Sequence, residues 1–153
     1  MNNTYFITTP IYYVNDIPHI GHAYTSIAAD FIARFKRMSN INTIFLTGTD
    51  EHGLKIQKAA EKNLVSPMEL CDQNSEKFRD LTKILNLSND DFIRTTEKRH
   101  KEGAKNLWNK LYKNGDIYID KYKGWYSVSD ETFYNEKDLL KQNDGSFKTI
   151  TGG

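Results

Sequence analysis

The sequence predicts an α/β protein built on a parallel sheet. Two short segments, residues 5–9 and 43–47, have the β-branched and aromatic composition of buried strands. Between them, from Ile20 to Met38, apolar residues recur every three or four positions, which is the spacing of an amphipathic helix. A strand, a helix and a strand within fifty residues form a βαβ unit, whose strands are parallel and whose crossover is right-handed.

Two further helices are predicted after the second strand. Residues 53–63 form the first of them. The second covers residues 66–85 and opens with Ser66-Pro67-Met68-Glu69, a capping box with proline at the first helical position. Cys71 lies in this helix near Met68, where packing in the core is expected rather than redox chemistry.

The α/β alternation continues to about residue 115. Residues 91–95 are a candidate third strand, and residues 97–113 a helix that ends at Gly115. The residues expected on the inner side of this helix are Ala104, Leu107, Trp108 and Leu111. We therefore assign residues 1–115 to one domain.

Beyond residue 115 the pattern changes to short aromatic strands separated by charged residues. The strand candidates are residues 117–119, 124–128 and 132–134. Residues 116–153 are therefore expected to begin a small β-rich module.

Composition excludes several classes of protein. The chain has 21 Lys and Arg against 20 Asp and Glu, so its surface as a whole is not a polyanion-binding face. The single cysteine excludes disulfide scaffolds and cysteine-rich zinc modules. No segment has the roughly 18 to 20 apolar residues of a membrane span, and the polar N-terminus does not resemble a signal peptide. A cytoplasmic protein with no membrane contact is expected.

The first polar cluster lies at the start of the predicted long helix, in the sequence PHIGH at residues 18–22. Two imidazoles, His19 and His22, flank Gly21 at a helix N-terminus, which suits the phosphates of a nucleotide. Two alternatives stay open at this point. One histidine caps the helix while the other lies on its surface, or the pair binds a metal, for which Asp16 is the only acidic residue nearby.

The second polar cluster, residues 48–53, follows the second strand. In an open parallel sheet, ligands bind beyond the carboxyl ends of the strands, so both clusters are expected at the same edge. Asp50 is the residue best placed to hold the ammonium group of an amino acid. The alternative is an ordinary solvated turn.

Together the two clusters carry a resemblance to a known family. TPIYYVNDIPHIGHAY at residues 9–24 resembles the HIGH-motif region of the class I aminoacyl-tRNA synthetases, in the form that the methionine members carry. FLTGTDEHG at residues 45–53 resembles their second block, which separates them from the isoleucine, valine, leucine and cysteine relatives. The resemblance covers almost the whole chain and weakens after about residue 134.

This resemblance implies a fold and an activity. Residues 1–115 are implied to be the front half of a Rossmann-like nucleotide-binding catalytic domain, and residues 116–153 the start of its inserted connective module, inside which the chain stops. The implied reaction is activation of L-methionine by ATP, used with Mg²⁺, followed by transfer to tRNA(Met). The lysine-rich second ATP motif and the anticodon-binding domain are not in the chain, so little activity and few tRNA contacts are expected from it alone.

The resemblance also implies residue roles. His19 and His22 are the implied catalytic residues, because they stabilise phosphate oxygens during adenylation. The residues implied to bind ATP are Pro10, Tyr13, Asn15, His19, Gly21 and His22. The residues implied to bind methionine are Ile11, Tyr13 and Asp50. No nucleophilic side chain is required, since the substrate carboxylate itself attacks the α-phosphate.

Some implied features are absent or leave alternatives open. Many family members have a zinc knuckle in the connective module, but Ser127 and Asp130 stand where its first cysteine pair would fall, so no metal is predicted. The basic, aromatic stretch at residues 97–123 is either part of a surface for the tRNA acceptor end or a solvated helix face.

Two alternative functions are a non-catalytic ATP or amino-acid binding module and another HIGH-motif nucleotidyltransferase, which would lack the block at residues 48–53.

Overall fold

A parallel sheet forms the centre of the first part of the chain. The computed structural model describes residues 4–150. Strand β3 (Asn42–Asp50) lies in the middle, with β1 (Thr4–Thr8) and then β2 (Tyr12–Tyr13) along one side and β4 (Asp91–Arg94) along the other. All the pairings are parallel. The predicted α/β class and its parallel sheet are confirmed, while β2 lies in a segment predicted to be a loop.

Four helices accompany this sheet, close to their predicted bounds. They are α1 (Ile20–Met38), α2 (Leu54–Lys62), α3 (Pro67–Ile84) and α4 (Lys98–Asn114). The Ser66 hydroxyl accepts a hydrogen bond from the backbone N–H of Glu69 at 3.2 Å, as the capping pattern predicts. Gly115 has a positive φ of 82°, which ends α4.

Two clusters of buried side chains hold these elements together. In the first cluster, Ala29 and Ala33 of α1 pack on Phe45 of the sheet. The second lies between the sheet, α2 and α3, and consists of Tyr12, Val14, Ile56, Ala60, Leu70, Cys71, Phe78 and Phe92. Cys71 is therefore a core residue, as predicted.

Helix α1 buries its small side chains and exposes its large ones. The exposed apolar residues include Ile20, Tyr24, Phe31 and Phe35. The amphipathic pattern identifies the helix correctly, but the face toward the sheet is formed by small residues that allow close approach. Asp30 is buried on that face because Ser88 and Arg34 donate hydrogen bonds to its carboxylate.

Helix α4 corrects a prediction. Leu107 and Trp108 are exposed, Ala104 is exposed as well, and Leu111 is only half-buried, so the expected inner face is wrong. None of the described residues of α4 is buried. Polar contacts near its start take the place of apolar packing, since Arg99 pairs with both Asp91 and Glu97.

The chain divides into two compact units, and the boundary follows residue 110, within α4. The second unit contains two antiparallel hairpins, β5 (Trp125–Ser127) with β6 (Thr132–Tyr134) and β7 (Leu139–Lys141) with β8 (Phe147–Thr149). Residues 117–119 are not a strand, so that prediction is wrong, and neither β7 nor β8 was predicted.

The central side chain of the second unit is Asp130. Its carboxylate accepts hydrogen bonds from Ser127, Tyr134 and Thr149, and so connects the two hairpins. Across residues 4–150, no helix combines the length and the apolar character needed to span a membrane.

Candidate functional site

The first polar cluster is a helix cap made by two histidines. His19 is the N-cap of α1, and its Nδ1 accepts a hydrogen bond from the backbone N–H of Gly21 at 3.1 Å. The Nδ1 of His22 accepts from the backbone N–H of His19, also at 3.1 Å. The capping alternative is therefore correct for His19. These bonds assign the proton of each neutral ring to Nε2, so both rings can donate to a ligand from that nitrogen.

His22 is held in place by aromatic neighbours. Its ring makes edge contacts with Tyr12 at 4.8 Å and with Phe78 at 5.0 Å, between ring centroids. Burial among these rings, together with the neighbouring His19, lowers the pKa of His22 below its usual value. At neutral pH the ring is therefore an uncharged Nε2–H donor at the positive end of a helix dipole.

Each cluster contains a glycine at which an added Cβ would meet a close neighbour. A Cβ on Gly21 would lie 3.0 Å from Cε1 of the His19 ring, which would disturb the cap. A Cβ on Gly48 would lie 2.0 Å from the carbonyl oxygen of Ile93. Gly48 therefore lets β3 and β4 approach each other at the first residue of the second cluster.

The second cluster places Asp50 beside Tyr13. Asp50 ends β3 in direct register with Tyr13 at the end of β2. Residues in register have side chains on the same face of a sheet, so the half-buried carboxylate and the exposed phenol are neighbours. The backbone N–H of His52 is 3.4 Å from the Asp50 carboxylate. An anion next to an aromatic wall suits the ammonium and apolar side chain of an amino acid.

The remaining predicted residues surround β2. Pro10 and Ile11 precede the strand and Asn15 follows it, and all three are exposed. The carbonyl oxygen of Val14 accepts a hydrogen bond from Asn74 of α3 at 2.7 Å, which fixes the segment that leads to the histidines. The predicted residues thus form two groups, one at the start of α1 and one at the ends of β2 and β3.

Sequence reasoning missed the residue that anchors the second cluster. The Glu51 side chain is fully buried, so the solvated-turn alternative is wrong for this residue. Its Oε1 accepts hydrogen bonds from the Thr49 hydroxyl at 2.8 Å and from Nε of Arg94 at 2.6 Å, and its Oε2 accepts from Thr96. No pattern near Glu51 signals this, because Arg94 and Thr96 lie more than forty positions away in the sequence.

Arg94 extends the anchor to α3. It donates to the Asp72 carboxylate at 2.5 Å while it holds Glu51. The hydrogen bond with Glu51, followed by that with Asp72, raises the pKa of Arg94. A permanently charged guanidinium therefore bridges the end of β3 and helix α3.

Two predictions lie in the later part of the chain. Ser127 and Asp130 hydrogen-bond to each other at 3.0 Å, and residues 4–150 contain no group of three or more His, Cys, Asp or Glu arranged for a metal ion. The aromatic residues of the basic stretch, Trp108, Tyr112, Tyr118 and Tyr122, are all exposed. Their exposure is compatible with both alternatives for that surface.

Known proteins of similar sequence and fold are aminoacyl-tRNA synthetases. The family described as "tRNA synthetases class I (M)" matches residues 5–142. The methionine–tRNA ligase of Rickettsia bellii is 60% identical over 139 residues, which are 91% of this chain and 27% of the relative. The Bacillus subtilis ligase is 51% identical over 152 residues, 99% of this chain and 23% of the relative.

A solved structure agrees with these sequence matches. The Mycobacterium tuberculosis methionyl-tRNA synthetase in complex with methionyl-adenylate matches with a TM-score of 0.88 and 47% identity, over 97% of this chain and 29% of that one. The chain thus spans about a quarter of the length of the curated relatives. The match over residues 5–142 and the identity to these relatives show that the protein belongs to the class I tRNA synthetases (M).

Proposed function

We propose that this chain supplies the first ATP-binding block and part of the methionine pocket of a methionine–tRNA ligase. The observation that carries the proposal is the pair of Nε2–H donors, on His19 and His22, at the N-terminus of α1. The neighbouring Asp50 and Tyr13 at the strand ends supply a place for an amino acid. Both groups follow the carboxyl ends of parallel strands, where α/β sheets bind their ligands.

In the proposed reaction, a carboxylate oxygen of L-methionine attacks the α-phosphorus of ATP, which is used as its Mg²⁺ complex. A bond forms between this oxygen and the α-phosphorus. The bond from the α-phosphorus to the oxygen that bridges to the β-phosphate breaks, and pyrophosphate leaves. His19 and His22 donate hydrogen bonds to phosphate oxygens while negative charge builds up on them. Pro10, Asn15 and Gly21 are proposed to contact the nucleotide. The methionyl group then passes from the adenylate to a ribose hydroxyl of tRNA(Met), and AMP leaves.

Methionine is proposed to bind through one charge and an apolar wall. Asp50 receives the ammonium group, and Ile11 and Tyr13 contact the side chain. A thioether has little hydrogen-bonding capacity, so selectivity depends on the shape of the pocket and on the fixed ammonium. The names of the relatives support this substrate, as does the adenylate bound to the Mycobacterium tuberculosis protein.

A chimeric ligase tests the proposal. In it, this chain replaces the matching 152 residues of the Bacillus subtilis relative. We expect methionine-dependent ATP–pyrophosphate exchange in the chimera, with much less exchange from the 153-residue chain alone and none with isoleucine or valine. Binding of ATP without exchange in the chimera would favour a non-catalytic module. Exchange with another amino acid would overturn the substrate.

Residues 116–153 are proposed to begin the connective module, and the catalytic half is proposed to end at about residue 115. We also propose that residues 116–153 bind no zinc. A serine hydroxyl and a carboxylate at positions 127 and 130, hydrogen-bonded to each other, are not the thiolates that structural zinc sites use. Metal analysis of the purified chain checks this, and one zinc per chain would overturn it. We further propose that most tRNA contacts lie outside these residues and that the ligase is cytoplasmic, where translation uses its product.

A further inference from the structure

We propose that Glu51 is a positioning residue for the methionine ammonium site, because its buried ion pair with Arg94 holds Asp50 in place. This inference rests on the proposed function, in which Asp50 receives the ammonium group. Glu51 itself does not touch the substrate. It acts through the backbone that it shares with Asp50.

Burial of the Glu51 carboxylate has a cost that its partners offset. A buried, ionised carboxylate is strongly unfavourable unless it is paired and hydrogen-bonded. Here the Thr49 and Thr96 hydroxyls and the Arg94 guanidinium together donate to both oxygens. Replacing a buried ion pair with apolar residues of similar size is often neutral for stability, so stability alone does not account for the presence of Glu51 and Arg94 here. The arrangement does fix one conformation at the end of β3.

The direction of the side chains couples Glu51 to Asp50. Thr49 and Glu51 lie on the same side of the chain, since the hydroxyl of one donates to the carboxylate of the other. Asp50, between them, therefore points to the opposite side, toward Tyr13. Rotation of the backbone at Glu51 would move the Asp50 carboxylate away from this position.

Glu51 and His52 are also attached to Thr95, the residue that follows β4. The backbone N–H of Glu51 donates to the Thr95 hydroxyl at 2.8 Å, and Nε2 of His52 is 3.3 Å from the Thr95 carbonyl oxygen. The Cys71 thiol of α3 approaches the Glu51 carbonyl oxygen at 3.8 Å. Loss of the ion pair removes the charged part of this set of contacts, and the rest are neutral hydrogen bonds.

An analogue without the ammonium group separates positioning from general stability. 4-(Methylthio)butanoate has the carbon chain, thioether and carboxylate of methionine but no amino group. Dissociation constants of methionine and of this analogue, measured by equilibrium binding to the chimeric ligase without ATP, give a ratio that reports only on the ammonium site. We expect Asp50→Ala to abolish the preference for methionine.

Glu51→Gln keeps the size of the side chain and removes its charge. We expect it to reduce the preference for methionine about tenfold, the effect of one weakened hydrogen bond to a charged group, with the affinity for the analogue unchanged. Asp72→Asn is the matched control. It removes the exposed partner of Arg94 and leaves the pair with Glu51 intact, so the preference should not change.

The possible outcomes distinguish the inference from the proposed function. Equal weakening of methionine and the analogue by Glu51→Gln, or a lower melting temperature with an unchanged preference, would overturn the positioning role. If Glu51→Gln does not fold, Thr96→Val removes one hydroxyl from the carboxylate and should give a smaller change of the same kind, while an unchanged preference would again overturn it. A chimera with no preference for methionine, even before substitution, would overturn the proposed function as well.

Discussion

The two motif blocks lie at the same edge of the sheet but are held in different ways. In the first block, residues 19–22, the hydrogen bonds of the histidine rings reach backbone groups two or three positions away. In the second block, residues 48–53, Glu51 bonds to Arg94 and Thr96 across more than forty positions of sequence. The ring hydrogen bonds of the first block form within a single helix start, although the His22 ring also packs against Tyr12 and Phe78. Those of the second block require β3, β4 and α3 to assemble.

This difference has a consequence for function. The hydrogen bonds that the two histidine rings make lie within the start of α1, so variants that keep the capping acceptor report mainly on chemistry. Variants near Asp50 report on binding and also on the packing of three elements. Substitutions in each block should therefore differ both in the size of their effect and in the kinetic constant that changes.

The largest effect is expected at His22 in the first block. His22→Asn retains an acceptor near the position of Nδ1 and removes the Nε2–H donor, so turnover in the chimeric ligase should fall roughly 100- to 1,000-fold with little change in the methionine KM. His22→Gln, whose amide lies near the position of Nε2, should recover part of the activity. The control is His100→Ala in α4, which should retain full turnover. A raised KM with unchanged turnover would contradict the role of a phosphate donor.

A smaller effect on a different constant is expected at Asp50. Asp50→Ala removes the proposed ammonium partner, so the methionine KM should rise about 10- to 100-fold while the ATP KM stays the same. Steady-state pyrophosphate exchange measures both constants. Asp16→Ala, in the loop before α1, is the control for the loss of a nearby carboxylate. If Asp50→Ala lowered turnover and left the methionine KM unchanged, the proposed role of the second block in ammonium binding would be wrong.

Local patterns in the sequence were sufficient for the four helices, for most of the strands and for the cap in the first block. The bounds of α1 follow from its periodicity, and a cap at His19 is one of the alternatives that the sequence leaves open. The periodicity did not predict which face of α1 is buried. Asp30 is buried there because Ser88, 58 positions away, donates two hydrogen bonds to it.

Long-range pairing explains what the sequence could not predict. Strand β2 is two residues long and exists only because it pairs with the end of β3. Strands β7 and β8 have three residues each, too short for a periodic pattern, and they lack the paired aromatic residues that indicate β5 and β6. Glu51 is a similar case, since nothing in TGTDEHG distinguishes a buried acid from an exposed one.

Cys71 offers a way to observe loosening of the second block. Burial raises the pKa of its thiol to about 11, with the negative charge of Glu51 as a further cause, so roughly one thiol in a thousand is ionised at pH 8. Iodoacetamide should therefore label the folded 153-residue chain slowly and the guanidinium-unfolded chain quickly. Glu51→Gln should speed labelling of the folded chain about tenfold, because that charge is lost and the backbone beside Cys71 loosens. His19→Ser, in the other block, should leave the rate unchanged, and equal acceleration by both variants would show that the blocks are not independent.

The smallest expected effect separates the two roles of His19. As the N-cap of α1 it should contribute about 1 kcal/mol to folding, so His19→Ala should lower the free energy of unfolding by that amount in urea titrations of the 153-residue chain. His19→Ser restores a capping oxygen and should regain most of this loss. Serine cannot reach a phosphate from this position, so both variants should lose turnover to a similar extent in the chimeric ligase. If serine restored turnover together with stability, His19 would act only as a cap, and the first block would have a single phosphate donor, His22.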